Sequence, residues 1–376
     1  MNSKIKKFFD TDIDKVYILL GDYCNMKCKY CFHNNDVMPY IDEKINEDIF
    51  PFIETIASRQ KSPLNVRFFG GEPLIYFDKM KYIIEKLAHV PNIFFTTITN
   101  GKSITQEIVD FFNKYNVMAS VSWDGHKASK EFRGFDCFDT NKNLLLQLKK
   151  VEVLATFVNF LKIDDFLSDL ENINNEYFNI HGEIIGFTWA PIDDVGSQKE
   201  YLSKAMFDDL YKKSEEVCNR VKDAIRKKHK TPFDLVMIYA LYSDLCTIES
   251  RDFGTSAERL IAEGSDNPKI YSIDLNGDFY QFHRYPKSSS KSKKLGNIYM
   301  HYYAYMQSYL SQNKFAEQCA RVGCYNCDIN HFCKGPGPHV CEESEKKCCR
   351  IRYALYKPIV NLIEWLQHGG IDLHDL

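Results

Sequence analysis

The sequence predicts an α/β chain, an open partial barrel of six parallel strand–helix units followed by a smaller cysteine-rich C-terminal domain. Three observations predict it. Short β-type runs recur at intervals of about thirty residues with helical patterns between them. The runs are nearly continuous in apolar and β-branched residues, as strands covered on both faces are. The cysteines gather in two groups at opposite ends of the chain.

The strand runs are KVYILLG from Lys15, LNVRFFG from Leu64, IFFTTITNG from Ile93, MASVSWDG from Met118, VLATFV from Val153 and EIIGFTWA from Glu183. Between them, FDKMKYIIEKLAHV and TQEIVDFFNKY carry helical periodicity. Six units are too few for an eight-unit barrel, so the barrel is expected to stay open. Residues 197–246 read as charged helix. KIYSIDLNGDFYQF then gives two β runs around Asn276-Gly277, a strong hairpin signal. PKSSSKSKKLG reads as a solvated loop, and RIRYALYKPIVNLIEWLQ as an apolar-striped helix packed on the body. The expected division is an N-terminal extension (1–14), a barrel core (15–195), a helical connector (196–260) and an auxiliary domain ending in a helix (261–376).

Composition narrows the function. The chain has 376 residues, 44% hydrophobic and 14% aromatic, enough for a sizeable core. A net charge of −3 gives no basic excess for nucleic acid and no acidic tail. The start lacks the apolar run of a signal peptide, and no run of 18 apolar residues occurs, so a cytoplasmic protein without membrane segments is expected. Thirteen cysteines in a reducing compartment point to metal rather than disulfides. Cys137, Cys218 and Cys246 stand alone and read as packing residues.

CNMKCKYCF places Cys24, Cys28 and Cys31 in one loop after the first strand. A structural zinc wants four closed ligands and a redox pair wants two. Three thiolates suit a [4Fe–4S] cluster with one iron left for a small molecule. The alternative is a zinc knuckle completed by His33. The loop lies at the C-terminal mouth of a parallel barrel, where such folds place their chemistry.

The chain here resembles the radical S-adenosylmethionine (SAM) superfamily, whose signature is CxxxCxxC with an aromatic residue, here Tyr30, before the third cysteine. GGEPL follows the second strand. The resemblance implies that the backbone of Gly70, Gly71, Glu72 and Pro73 binds the methionyl amino group, and glycine suits a close approach of backbone to ligand. TNG, with Thr99 and Asn100, ends the third strand and SWDG the fourth. By the same resemblance Ser122 and Asp124 hold the ribose or the methionyl carboxylate. Arg133 matches an arginine of the same branch, a surface salt bridge being its structural alternative. The sixth strand near Ile185 to Phe187 is expected on the adenine or in the core. The implied cofactors are a [4Fe–4S] cluster with SAM on its open iron.

CYNCDINHFC gives Cys324, Cys327 and Cys333. With LGNIY at Leu295 and the hairpin, this resembles the SPASM extension of peptide-modifying radical SAM enzymes, in which two auxiliary [4Fe–4S] clusters sit. Phe282 occupies one expected cysteine position, Gly337 another, and no cysteine occurs between Cys246 and Cys319. These departures all remove ligands from the same cluster. The expectation is therefore one auxiliary [4Fe–4S] cluster on Cys324, Cys327, Cys333 and Cys348, with Cys349 and Cys341 as alternatives to the last. A zinc site is the other reading of these cysteines. His283 holds the register of an acid/base aspartate in sulfatase-maturing relatives and is the expected catalytic group; its plain reading is a half-buried hairpin residue.

The resemblance implies an oxidoreductase that abstracts hydrogen from a ribosomally made peptide, installing a crosslink, thioether, epimerised centre or related oxidation. Ferredoxin or flavodoxin is the expected electron donor. About fourteen residues precede the first strand, so leader recognition is expected from the barrel surface or a separate leader-binding protein. The alternatives are maturation of a folded protein such as a sulfatase, small-molecule chemistry, and a non-catalytic iron–sulfur or zinc protein.

Overall fold

The computed structural model describes residues 13–31, 39–156, 162–190, 204–249, 269–281, 287, 292–312, 315–329, 333 and 342–369. Among the described residues, nine strands form one sheet: β1 (Lys15–Leu19), β2 (Leu64–Phe69), β3 (Ile93–Thr99), β4 (Met118–Ser122), β5 (Val151–Thr156), β6 (Gly186–Ala190), β7 (Ile270–Asp274), β8 (Asp278–Tyr280) and β9 (Lys294–Asn297). Their order is β6-β5-β4-β3-β2-β1-β7-β8-β9, so among the described residues β6 and β9 are the edge strands. β1 to β6 pair in parallel in sequence order, as six strand–helix units require. The fold is the mixed α/β partial barrel that the strand spacing predicts. Two edges differ: β5 starts at Val151, ahead of the predicted run, and β6 starts at Gly186, behind it.

The helices α1 (Ile49–Arg59), α2 (Phe77–Leu87), α3 (Gln106–Tyr115) and α4 (Ile163–His181) cover the outer face. Alternation along the strands explains the layering. Val16, Ile18, Val66, Phe68, Val121 and Val153 are fully buried in the core shared with these helices. Tyr17, Leu19 and Phe69 face the other way and form a separate apolar cluster with Ile98, Ile270 and Tyr280 on the inner face. Ile185 and Phe187 belong to the main core, where Phe187 meets Phe166 edge-on at 5.5 Å; core packing is therefore their role. On the inner face a polar layer also occurs. Arg67 Nε donates to Thr96 Oγ1 at 2.8 Å, Thr96 Oγ1 donates to Asn65 Oδ1 at 2.8 Å, and Ser120 donates to Glu152.

The hairpin does not stand apart from the barrel. β7 runs parallel to β1, with Leu19 opposite Asp274, and extends the same sheet. The boundary expected at residue 261 therefore precedes strands that continue the barrel. Beyond β6, α5 (Lys204–Arg226) and α6 (Pro232–Glu249) form the helical connector. α7 (Tyr302–Gln312), α8 (Phe315–Val322) and α9 (Glu342–Gly369) complete the described chain. The Ser214 hydroxyl donates to the Leu355 carbonyl at 2.7 Å and ties α9 to α5. Among the described residues no helix is long and apolar enough to cross a membrane.

Candidate active site

The chain leaves β1 into a loop that carries Cys24, Cys28 and Cys31, each partly exposed. The Cys31 amide donates to the Cys28 carbonyl at 3.1 Å, so the last two thiols sit on one tight turn. Neighbouring strand ends anchor the loop. Asn100 Nδ2 donates to Asn25 Oδ1 at 2.9 Å and reaches Cys24 Sγ at 3.8 Å. Asn25 Nδ2 donates to Ser103 Oγ at 2.9 Å, and the Lys29 amide to the Phe132 carbonyl at 2.8 Å. Burial pushes the Cys24 and Cys28 thiols up to about 11; at Cys28 the Arg133 guanidinium acts in the opposite sense. Metal binding must displace these protons.

GGEP lies against the same loop. The Gly71 amide donates to Gly21 O at 2.9 Å and the Glu72 amide to Tyr23 O at 3.0 Å. A Cβ on Gly70, whose φ is +149°, would stand 2.2 Å from Gly21 O. One on Gly71 would stand 2.3 Å from Asp22 O and 2.4 Å from Tyr23 O. The close approach that requires glycine is therefore loop against loop; the sequence expectation had placed a ligand there. Pro73 and Leu74 are buried in the short turn that follows. The buried Glu72 carboxylate closes the joint. It accepts the Leu74 amide at 3.0 Å, Thr99 Oγ1 at 2.7 Å and the Asn100 amide at 2.7 Å.

Asp124 is saturated. Its Oδ2 accepts Arg133 Nε at 2.7 Å and the Tyr30 hydroxyl, and its Oδ1 accepts Arg133 Nη2 at 2.8 Å and the Thr156 amide at 2.7 Å. Four donors use about the whole capacity of a carboxylate, so Asp124 binds the protein's own groups in this structure. Arg133 is 8% exposed, and its guanidinium lies over the Tyr30 ring at 5.2 Å. It is not the surface salt bridge offered as an alternative. Burial raises the Tyr30 phenol, which stays protonated as a donor. Ser122 ends β4 half-buried. The structure thus gathers Cys24, Cys28, Cys31, Tyr30, Gly70 to Pro73, Thr99, Asn100, Asp124 and Arg133 around the strand ends of one mouth. His283 and Phe282 lie outside the described residues, as do His33, Gly337 and Cys341. Sequence reasoning missed Asn25 and Thr156. Asn25 lies inside the cysteine motif and was open to notice, whereas Thr156 reaches Asp124 through its backbone amide, which no residue type signals.

At the other end, Cys324 begins a short turn whose Cys327 amide donates to the Cys324 carbonyl at 3.1 Å. Burial, with Cys333, Cys324 and Cys327 next in weight, pushes the Cys349 thiol up to about 12. The Cys348 side chain lies outside the described residues, so Cys349 is the thiol of that pair that the structure places. Cys137 and Cys218 are buried in the core, as packing residues are.

A family model described as the Radical SAM superfamily matches residues 18–150. This part of the chain belongs to the radical SAM superfamily. The match spans the cysteine loop, GGEP and Arg133. Among curated relatives, the chain is 28% identical over 193 residues to the radical SAM cyclopropyl synthase TigE of Paramaledivibacter caminithermalis, covering 46% of this chain and 39% of that protein. It is 27% identical over 133 residues to the cysteine-type anaerobic sulfatase-maturating enzyme of Clostridium novyi, covering 32% and 33%. It is 30% identical over 172 residues to the GTP 3′,8-cyclase of Clostridium acetobutylicum, covering 42% and 52%. The matched stretch thus spans between a third and about half of these relatives' lengths. Native anSMEcpe with bound AdoMet superimposes with a TM-score of 0.61 at 15% identity, covering 94% of this chain and 99% of that one. At that identity the likeness shows the radical SAM fold.

Radical SAM membership implies a [4Fe–4S] cluster and SAM, and the residues present fit them. Among the described residues no three His, Cys, Asp or Glu side chains close on a single metal ion. A four-iron cube puts its thiolates on separate irons, so three loop thiols in one neighbourhood suit it.

Proposed function

We propose that the chain is a radical SAM enzyme that abstracts hydrogen from a peptide, as a maturation step. The observation that carries the reading is the joint at the barrel mouth. One loop with three thiols is locked to GGEP by Gly70 and Gly71 and to β4 by Tyr30 and Asp124. Cys24, Cys28 and Cys31 would hold the cluster, and the mouth beside them SAM. When bound, that pair supplies reductive cleavage of the sulfonium and hydrogen-atom abstraction.

The chain's own residues prepare that chemistry. The guanidinium of Arg133 favours thiolate at Cys28. Glu72, through Thr99 and Asn100, fixes the strand-end backbone. Tyr17, Leu19, Phe69 and Ile98 line the inner face with apolar surface that excludes water. Cys324, Cys327, Cys333 and Cys349 would hold one closed auxiliary cluster, suited to electron transfer or to structure.

The peptide substrate rests on analogy, an associational warrant. A structure titled native anSMEcpe with bound AdoMet and Cp18Cys peptide shares the fold with a TM-score of 0.60 at 16% identity. An electron donor of the ferredoxin or flavodoxin class, and a leader-binding partner, belong to the same proposal. The deciding experiment incubates anaerobically reduced protein and SAM with peptides encoded by short reading frames beside the gene. The reading predicts a mass change in one such peptide, coupled to 5′-deoxyadenosine. Conversion of GTP with every peptide unchanged would move the assignment to small-molecule chemistry, the reaction class printed for the cyclase relative.

A further inference from the structure

We propose that three exposed lysines around the cysteine loop, Lys27, Lys29 and Lys102, form the docking surface for an acidic one-electron carrier protein of the ferredoxin class. The inference rests on reading Cys24, Cys28 and Cys31 as the ligands of the cluster that cleaves SAM.

The chain as a whole is acidic, with a net charge of −3. The rim of the cysteine loop runs against that balance. Lys27 and Lys29 bracket Cys28 in the sequence, and both are exposed. Two other segments meet the loop here. Ser129–Arg133 forms a short helical turn after β4, and its Phe132 carbonyl accepts the Lys29 amide at 2.8 Å. The Lys29 ammonium lies over the buried Phe132 ring at 5.5 Å. Lys102 follows β3 and is exposed. Its Nζ donates to the Asn25 carbonyl at 3.3 Å and lies over the half-buried Phe135 ring at 5.6 Å. A ring face attracts a cation, so Lys29 and Lys102 are held at the loop rather than swinging free. Side chains already placed lose less freedom when a partner binds.

The acids of the neighbouring segment do not cancel this charge. Asp139 is paired with Lys130 at 2.8 Å. Asp136 is buried against Trp123 and His126. Glu131 is the remaining exposed acid on residues 129–139. The three lysines therefore outweigh it.

The chemistry says what such a rim is for. Each SAM cleaved reductively takes one electron from outside the chain. The carrier is oxidised by one electron in the encounter, and the site on the cysteine loop is reduced by one. Electron transfer between proteins slows steeply with distance, so the carrier must stop beside Cys24, Cys28 and Cys31, which are partly exposed. A small low-potential iron–sulfur carrier with an acidic face meets both demands, the electron and the charge. Complementary charge acts chiefly on association, by about 10- to 1,000-fold at low salt.

The test follows 5′-deoxyadenosine formation by the full chain with two reductants. One is excess dithionite, which needs no docking surface; the other is a purified acidic ferredoxin with its reductase. Lys27→Glu/Lys29→Glu and Lys27→Gln/Lys29→Gln/Lys102→Gln are compared with Lys149→Glu/Lys150→Glu. The last pair makes the same charge change as the first at exposed residues just before β5, at the opposite end of the strands. Iron content is measured throughout. With ferredoxin at low salt, kcat/KM for the carrier should fall about tenfold or more in Lys27→Glu/Lys29→Glu. The fall should be smaller in the glutamine triple and absent in Lys149→Glu/Lys150→Glu. The gap should close toward 1 M salt, where charges are screened beyond about 3 Å. Dithionite-driven rates and iron content should match wild type in every variant. Equal ferredoxin-driven rates in wild type and Lys27→Glu/Lys29→Glu would overturn the inference and move electron entry to another face. An equal loss in Lys149→Glu/Lys150→Glu would overturn it by making overall charge the cause. A matching fall in the dithionite rate and iron content would overturn it by making the lysines part of the loop's own fold. No SAM cleavage by wild type with dithionite would overturn the cluster reading, and the inference with it.

Discussion

Arg133 grips Asp124 with two parallel hydrogen bonds, Nε to Oδ2 at 2.7 Å and Nη2 to Oδ1 at 2.8 Å, with both side chains nearly out of solvent. The pair holds the Tyr30 hydroxyl as a third partner, so the cysteine loop and the end of β4 move as one. Breaking a buried pair leaves an uncompensated charge. Asp124→Asn is expected to destabilise the metal-free protein by about 3–5 kcal/mol. Tyr30→Phe, which leaves the ion pair intact, should cost about 1–3 kcal/mol. Urea unfolding measures both, and equal small losses would remove Asp124 from its central position.

Gly71→Val probes the loop-to-loop contact. Its Cβ would fall 2.3 Å from Asp22 O, so the cysteine loop must shift. The expected result is loss of iron from the first cluster as well as loss of SAM binding. Weakened SAM affinity with full iron content would return the glycine to ligand approach.

Glu72 yields a pH prediction. Burial raises its carboxyl above the usual carboxylate range, against the pull of Asn100, Thr99 and Leu74. A raised folded-state value means that the native state binds the proton more tightly than the unfolded chain. The contribution is thus fully present below the unfolded value near 4.3 and falls as pH rises through the folded value. Metal-free wild type should lose stability relative to Glu72→Gln over that rise. Urea titrations at a series of pH values report the sign. A relative gain with pH would show that the three donors outweigh burial.

Cys349 and Cys348 can be told apart by iron content. Cys349→Ala should remove about four irons per chain, and Cys348→Ala should leave the content unchanged. The reverse pattern would exchange the two residues.

The barrel was legible because strand spacing and continuous apolar runs are imposed by burial on both faces. CxxxCxxC, GGEP and Arg133 were legible because few folds need that order of groups. The reason for the glycines was not legible, since the clash is with carbonyls more than forty-five residues earlier in the chain. The saturation of Asp124 was hidden because Tyr30, Arg133 and Thr156 reach it from three separate segments. The pairing of β7 with β1 had no local signal either, because a hairpin motif specifies its own turn and says nothing of the strand it joins.

The central claim is that Cys24, Cys28 and Cys31 hold the cluster that cleaves SAM. Its most direct test measures 5′-deoxyadenosine and iron in anaerobically reduced wild type and in the Cys24, Cys28 and Cys31→Ala variant. The account predicts about eight irons per chain in the wild type, two clusters of four. It predicts about four in the variant, with 5′-deoxyadenosine formed by the wild type only. Continued SAM cleavage by the variant would contradict it.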